Sequence, residues 1–257
     1  MGIALNIWRD TKGTGGGSAF NPTFLPNLLN WSDYSDVSTL FQTDDESTPV
    51  TTNGQTIGFV SDKSAANNDF SQAVALLRPI YTTGVQNGKS CAVFTLDFLQ
   101  KALFALGGTT LSVFCVLRGD TPPDNSRFVS YTATGEALDF NNAPSGIPMF
   151  VTNTGAQLNS FRNNGVLSQG AITDGAFHQL GSIFDGTNST LYINNVAQTA
   201  AANSDTFGAT GTFTLGAQAS GGDLTNMTLG ELIITGSALN SAQRLQIATY
   251  FTNKWAV

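Results

Sequence analysis

Residues 177–196 read FHQLGSIFDGTNSTLYINNV, and within them two short runs, Gln179 to Phe184 and Thr190 to Asn194, flank an Asp-Gly step. Both runs carry the β-branched and aromatic residues that suit a pleated, half-buried surface. Asp185-Gly186 supplies the positive φ that a tight hairpin turn needs. An antiparallel hairpin is therefore expected here.

The same grammar extends in both directions. Upstream, strands are predicted at Leu111 to Leu117, Phe128 to Thr132, Met149 to Thr152 and Gln157 to Arg162. Downstream they are predicted at Thr212 to Gly216 and Thr228 to Thr235. Asn53-Gly54, Asn87-Gly88, Asn164-Gly165 and Asp174-Gly175 are further steps able to take the left-handed turn conformation. Nothing before residue 237 reads as a long helix, so the fold class is all-β and mainly antiparallel. One helix closes the chain at about residues 240–255, with Asn240 or Ser241 as N-cap and Gln243 placed to reach back. Ile247, Phe251 and Trp255 make its apolar stripe.

Composition agrees. Hydrophobic residues at 41% of the 257 can fill a core, while charged residues at 11% fall below the roughly 25% usual in globular domains. Gly (27) and Phe (18) suit many short strands with tight turns between packed sheets. The formal charge of −7, with no Lys/Arg stripe, argues against a nucleic-acid partner. The sequence shows no signal-peptide pattern and no run of 18 apolar residues, so neither export nor a membrane partner is expected. Cys91 and Cys115 sit in apolar runs and are expected as buried thiols rather than a disulfide.

The first 20 residues differ from the rest. Ile3, Leu5 and Ile7 alternate like a lone strand, Trp8 follows, and Lys12 to Ser18 (KGTGGGS) has the composition of a flexible linker. Residues 1–20 are thus expected to be an extended docking arm ahead of a domain spanning 21–257. Ile3, Leu5, Ile7 and Trp8 are its candidate docking residues, Trp8 as the anchor, since large aromatics dominate interface energetics.

Three blocks carry a resemblance. Residues 25–81 contain LPNLLNWSDYSDVSTLFQTDDESTPVTTNGQTIGFVSDKS and later RPIY; residues 177–196 hold the hairpin; LGELIITGSALNSAQRLQIATYFTNKW ends the chain. The first block is similar to the opening of concanavalin A-like lectin/glucanase proteins of phages and bacteria. Trp31, Ser35, Asp36, Asp62, Lys63, Ser64, Arg78 and Pro79 are among the matching positions. The hairpin resembles a laminin-G-type aromatic-His strand running into FDG, and Glu231, Leu239, Tyr250, Lys254 and Trp255 fit the closing strand and helix. The resemblance implies an antiparallel two-sheet jelly-roll sandwich. The Gly-rich arm ahead of it resembles those of phage virion proteins.

Catalytic chemistry is hard to find in the sequence. Glycosidases need two carboxylates, about 5–5.5 Å apart for retention, and the family's glucanases place Glu, Asp and Glu on alternate residues. Here the nearest imitation is Glu136 and Asp139, three apart, which on a strand point to opposite faces. The only histidine, His178, lies in the hairpin and reads as structural, and a zinc site would need more ligands. Asp185, Asp205 and Asp223 leave a structural calcium ion open, although each sits where a turn favours Asp. Trp31, Tyr34, Tyr81 and Tyr131 are available either for stacking on a sugar or for the core.

No catalytic, cofactor or metal residues are thus expected. The expected role is a non-enzymatic phage virion structural protein, a capsid decoration, head fibre or tail component. It would be assembled in the host cytoplasm and docked through its arm to other virion proteins or to copies of itself. A carbohydrate-binding adhesin holding surface glycans is the alternative, and a glycoside hydrolase the weaker one.

Overall fold

The computed structural model describes residues 20–140, 142, 144–152, 156–162 and 165–257. The expected docking residues Ile3, Leu5, Ile7 and Trp8 lie outside the described residues. In chain order the strands are β1 (Leu28–Asp33), β2 (Leu40–Phe41), β3 (Phe59–Val60), β4 (Phe70–Ser71), β5 (Ile80–Gln86), β6 (Lys89–Asp97), β7 (Leu99–Ala105), β8 (Thr110–Gly119) and β9 (Arg127–Ala133). They continue as β10 (Gly146–Thr152), β11 (Gln157–Arg162), β12 (Gly165–Ala171), β13 (Phe177–Asp185), β14 (Asn188–Ile193), β15 (Val196–Ala197), β16 (Ala201–Ala202), β17 (Thr210–Leu215) and β18 (Thr225–Thr235). Helix α1 (Ser241–Trp255) ends the chain.

These strands form two nine-stranded antiparallel sheets. The first has the order β15-β14-β13-β8-β18-β6-β5, with β1 also on β18 and β16 also on β14; the second runs β12-β11-β10-β9-β17-β7-β4-β3-β2. This is the jelly-roll sandwich the sequence predicts. The 177–196 hairpin is present, Leu180 opposite Ile193 and Phe184 opposite Ser189. Asn87 and Gly88, at φ 49° and 72°, close a second hairpin between Gln86 and Lys89, as a type I′ turn requires.

Strand β8 shows why the apolar runs look unbroken in sequence. Leu111, Val113, Cys115 and Leu117 point between the sheets with Phe94, Phe104, Phe184 and Phe213. Phe114 and Val116 point the other way, to a second cluster under α1. Both faces are covered, so polar alternation is lost. Each fully buried Phe or Leu contributes about 1.5–3 kcal/mol of transfer free energy. Cys91 and Cys115 are free and buried, one in each cluster. Burial pushes the Cys91 thiol up to about 12 and moves that of Cys115 in the same direction.

Helix α1 starts as predicted. The Asn240 side chain accepts from Gln243 N at 3.0 Å, and Gln243 Oε1 accepts from Asn240 N at 3.0 Å. Ile247, Phe251 and Trp255 are its buried residues, and Ala256 in the left-handed region (φ 55°) ends it. Among the described residues no helix is long and apolar enough to cross a membrane.

Candidate functional site

The residues of the sequence resemblance serve the architecture. Glu231, on β18, is fully buried. It accepts from Trp31 Nε1 and Tyr250 OH at 2.7 Å, Lys254 Nζ at 2.7 Å and Trp255 Nε1 at 2.8 Å. Burial holds its carboxyl above the usual range, and neighbouring Asp33 adds to the shift. Lys254 also pairs with Asp33 at 2.8 Å, and Asp33 with Lys63 at 3.4 Å. Burial works to raise Asp33, but these ammonium groups and the Ser35 hydroxyl outweigh it, and the net shift is downward. Asp62 accepts from the backbone N of Trp31, Ser64 and Asn68, and Arg78 donates to the carbonyls of Gln72, Gln42 and Ala73. These groups stitch strand, loop and helix together, and of them Tyr250 and Lys254 also border a shallow cavity along α1.

His178 is likewise engaged. Its Nε2 meets the backbone of Thr173 at 3.1 Å, and its Nδ1 meets Asn194 Nδ2 at 3.3 Å. Trp31, Tyr34, Tyr81 and Tyr131 are all buried, so these four belong to the core rather than to an open sugar platform. The three aspartates considered for calcium lie apart. Asp185 accepts from the backbone of Thr187 and Asn188, Asp205 from Asn203, and Asp223 pairs with Arg127. Among the described residues no group of three His, Cys, Asp or Glu side chains is arranged to hold a metal.

A cavity that joins aromatic walls to charged side chains lies on the second sheet, on the face turned away from the core. Met149, Val151 and Leu158 point inward, and between them Phe150 and Phe161 point out. A register irregularity between Met149 and Phe150 sets Phe150 opposite Arg127. Arg127, Phe150, Phe161, Phe140, Ile147, Asn125 and Asp223 line a cavity of about 240 Å³. Phe150 and Phe161 meet edge to face at 5.8 Å, and Phe140 and Phe161 at 6.4 Å. The Arg127 guanidinium lies 5.7 Å from the rings of both Phe140 and Phe150.

Two carboxylates converge on that guanidinium. Asp139 accepts from Nε at 3.1 Å and from Nη2 at 3.3 Å, and Asp223 lies 3.2 Å from Nη2. Nη1 donates to the carbonyl of Asn125. Asp139 is fully buried, and burial raises its carboxyl above the ordinary range against the pull of Arg127. The Asp223 side chain is 40% exposed at the cavity wall. Glu136 and Asp139 are not on a strand, contrary to the sequence reading. Both lie in the loop after β9, where Glu136 accepts from Asn142 while Asp139 turns to Arg127. Asp139 and Asp223 reach the same guanidinium from two distant loops, and no spacing in the sequence reveals it.

Comparison with known proteins bears on both fold and role. No curated protein sequence matches the chain. Among solved structures, a GH54 α-L-arabinofuranosidase soaked with a cyclic sulfate inhibitor superposes with TM-score 0.63 at 13% identity, over 86% of this chain and 62% of its own. Domain 4 of AbnA, a GH43 extracellular arabinanase from Geobacillus stearothermophilus in complex with arabinotriose, superposes with TM-score 0.55 at 16% identity, over 86% of this chain and 98% of that domain. A Trypanosoma rangeli sialidase superposes with TM-score 0.58 at 12% identity, over 98% of this chain and 36% of its own. The chain therefore spans less than two thirds of the arabinofuranosidase and of the sialidase.

Two expectations are corrected by these matches. The virion structural role gives way, because chains that share this architecture include an arabinofuranosidase, an arabinanase domain and a sialidase. The non-enzymatic reading gives way with it, since the same neighbours are glycoside hydrolases. The absence of a Glu-Asp-Glu strand does not exclude catalysis, because loops too can gather carboxylates. At these identities the structures speak for the fold. Family membership rests on sequence: the model of the concanavalin A-like lectin/glucanases superfamily matches residues 87–243, from the β5–β6 turn into α1. With that span covering well over half of the chain and both sheets in place, the protein belongs to the concanavalin A-like lectin/glucanases superfamily.

Proposed function

We propose that this chain handles carbohydrate and seats a saccharide in the Phe140–Phe150–Phe161 cavity. The observation that carries the reading is the joining of aromatic walls to a charged, hydrogen-bonding floor. Sugar rings present C–H faces that pack on aromatic surface and hydroxyls that seek polar partners. Asn125 and Asp223 place such partners beside the rings. About 240 Å³ is below the roughly 300–1,000 Å³ of sites that engulf a drug-sized ligand, which suits a shallow seat for a short saccharide. The match to nearly the whole of an arabinanase domain described in complex with arabinotriose supports the same reading.

Titration calorimetry with arabinotriose, xylotriose and galactotriose tests it. Saturable binding to one of them, weakened by Phe140→Ala, is the expected result. Heat-silent titrations with all three would sink the proposal.

Hydrolysis is a second reading, favoured by one observation. Asp139 and Asp223 converge on Arg127 from unlike environments, one buried and the other partly exposed, and such a division separates acid from base in glycosidases. Release of reducing ends from arabino-oligosaccharides, abolished in Asp223→Asn, would support it; no release from the parent protein removes it.

A further inference from the structure

We infer that the cavity takes uncharged saccharides and turns away carboxylated ones. The inference rests on the carbohydrate reading above and names its ligand class. An arginine in a sugar pocket would ordinarily read as an anchor for a carboxylate, because its planar fork matches two carboxylate oxygens. Arg127 is already committed. Nε and Nη2 face Asp139, Nη2 also faces Asp223, and Nη1 donates to the Asn125 carbonyl. Its charge is offset by two carboxylates, so the cluster carries a net negative charge. The guanidinium is also wedged between Phe140 and Phe150, which fixes its plane.

Among the described residues that line the cavity, no further cation restores the balance. Asn125, Phe140, Ile147, Phe150 and Phe161 are uncharged, and Asp223, whose Oδ2 meets both Gln218 Nε2 and Arg127 Nη2, stands 40% exposed at the wall. A uronate or sialate carboxylate entering the cavity would meet Asp223 before it met a free guanidinium edge. Like-charge juxtaposition in a partly desolvated site is strongly unfavourable. Neutral hydroxyls meet no such barrier and can donate to Asp223.

The test is a calorimetric titration with arabinotriose, galactotriose and trigalacturonate, the last two differing in their C6 carboxylates. The neutral sugar that binds should do so at least about tenfold more tightly than trigalacturonate, a ratio within reach of one unfavourable charge contact. Asp223→Asn, a change at a partly exposed position, should narrow that ratio by removing one of the two negative charges beside Arg127. In the parent protein, raising the salt concentration should narrow it too, by screening the repulsion. Equal or tighter binding of trigalacturonate, or a ratio indifferent to both the substitution and salt, overturns the inference and leaves the carbohydrate reading standing. No binding of any of the three overturns both.

Discussion

The indole N–H of Trp31 donates to the carboxylate of Glu231 at 2.7 Å across 200 residues of sequence. That bond ties β1 to β18, and the same carboxylate receives the indole of Trp255 and the ammonium of Lys254 from α1. Replacing Glu231 by Ala leaves two buried indole N–H groups and an ammonium short of their acceptor. A loss of about 3–5 kcal/mol is expected, the range for breaking a buried ion pair. Urea denaturation followed by fluorescence measures it, and a midpoint unchanged from the parent would show that the cluster contributes little.

Gly230, one residue earlier, sets how closely α1 approaches. A Cβ there would sit 2.8 Å from the Trp255 ring. Gly230→Ala should therefore cost about 1–3 kcal/mol through overpacking, visible as a lower thermal midpoint. An unshifted midpoint would mean the helix can retreat freely.

Asp33 makes stability depend on pH. Its folded carboxyl lies below the ordinary value of 3.8, so its contribution is present above about pH 4 and is lost as pH falls through the folded value. The stability difference between the parent and Asp33→Asn should be largest near neutrality and shrink on acidification. A difference independent of pH between 7 and about 3 would contradict this.

The two thiols should be silent in the native protein. Cys91 and Cys115 are buried, and the thiolate is the reactive form. An aromatic disulfide reagent at pH 8 should label neither in buffer and both in denaturant. Prompt native labelling would show that one face of β8 or β6 opens easily.

Phe161 stands between Phe140 and Phe150 in the cavity. Its replacement by Ala should weaken saccharide binding about tenfold while circular dichroism keeps its β signature. Unchanged affinity would move the site elsewhere.

How far these features could be read from the chain follows from what makes each one. The 177–196 hairpin was legible because both its runs and its turn are local. Gln157–Arg162 came out with its boundaries intact. The α1 cap was legible because Asn240 and Gln243 stand three apart. By contrast β5, β6 and β7 were not predicted. Their pattern is broken by Gly84 and by Leu96 and Leu103, which take positive φ, and a period-2 reading stops at such points. The Asn194-Asn195 turn between β14 and β15, with φ of 49° and 65°, also went unread. The cavity was hidden for another reason. Phe140, Phe150, Phe161, Arg127 and Asp223 come from separate strands and loops, and the register of β9, β10 and β11 together with the paths of two loops brings them together. Trp31 and the tyrosines looked like better sugar platforms, yet in a sandwich with two buried layers the large rings are drawn inward.

Strand β18 is the last strand in the sequence, yet it lies inside the first sheet. One edge pairs with β8, and the other is shared end to end by β6, at Thr225–Leu229, and β1, at Glu231–Thr235. A ribosome delivers β1, β6 and β8 long before their common partner. Until it arrives, three strands hold unpaired edges, an invitation to the wrong neighbour. Such long-range closure belongs to slow-folding topologies. The nascent chain must therefore wait, with its sheet unzipped, for the segment that completes it.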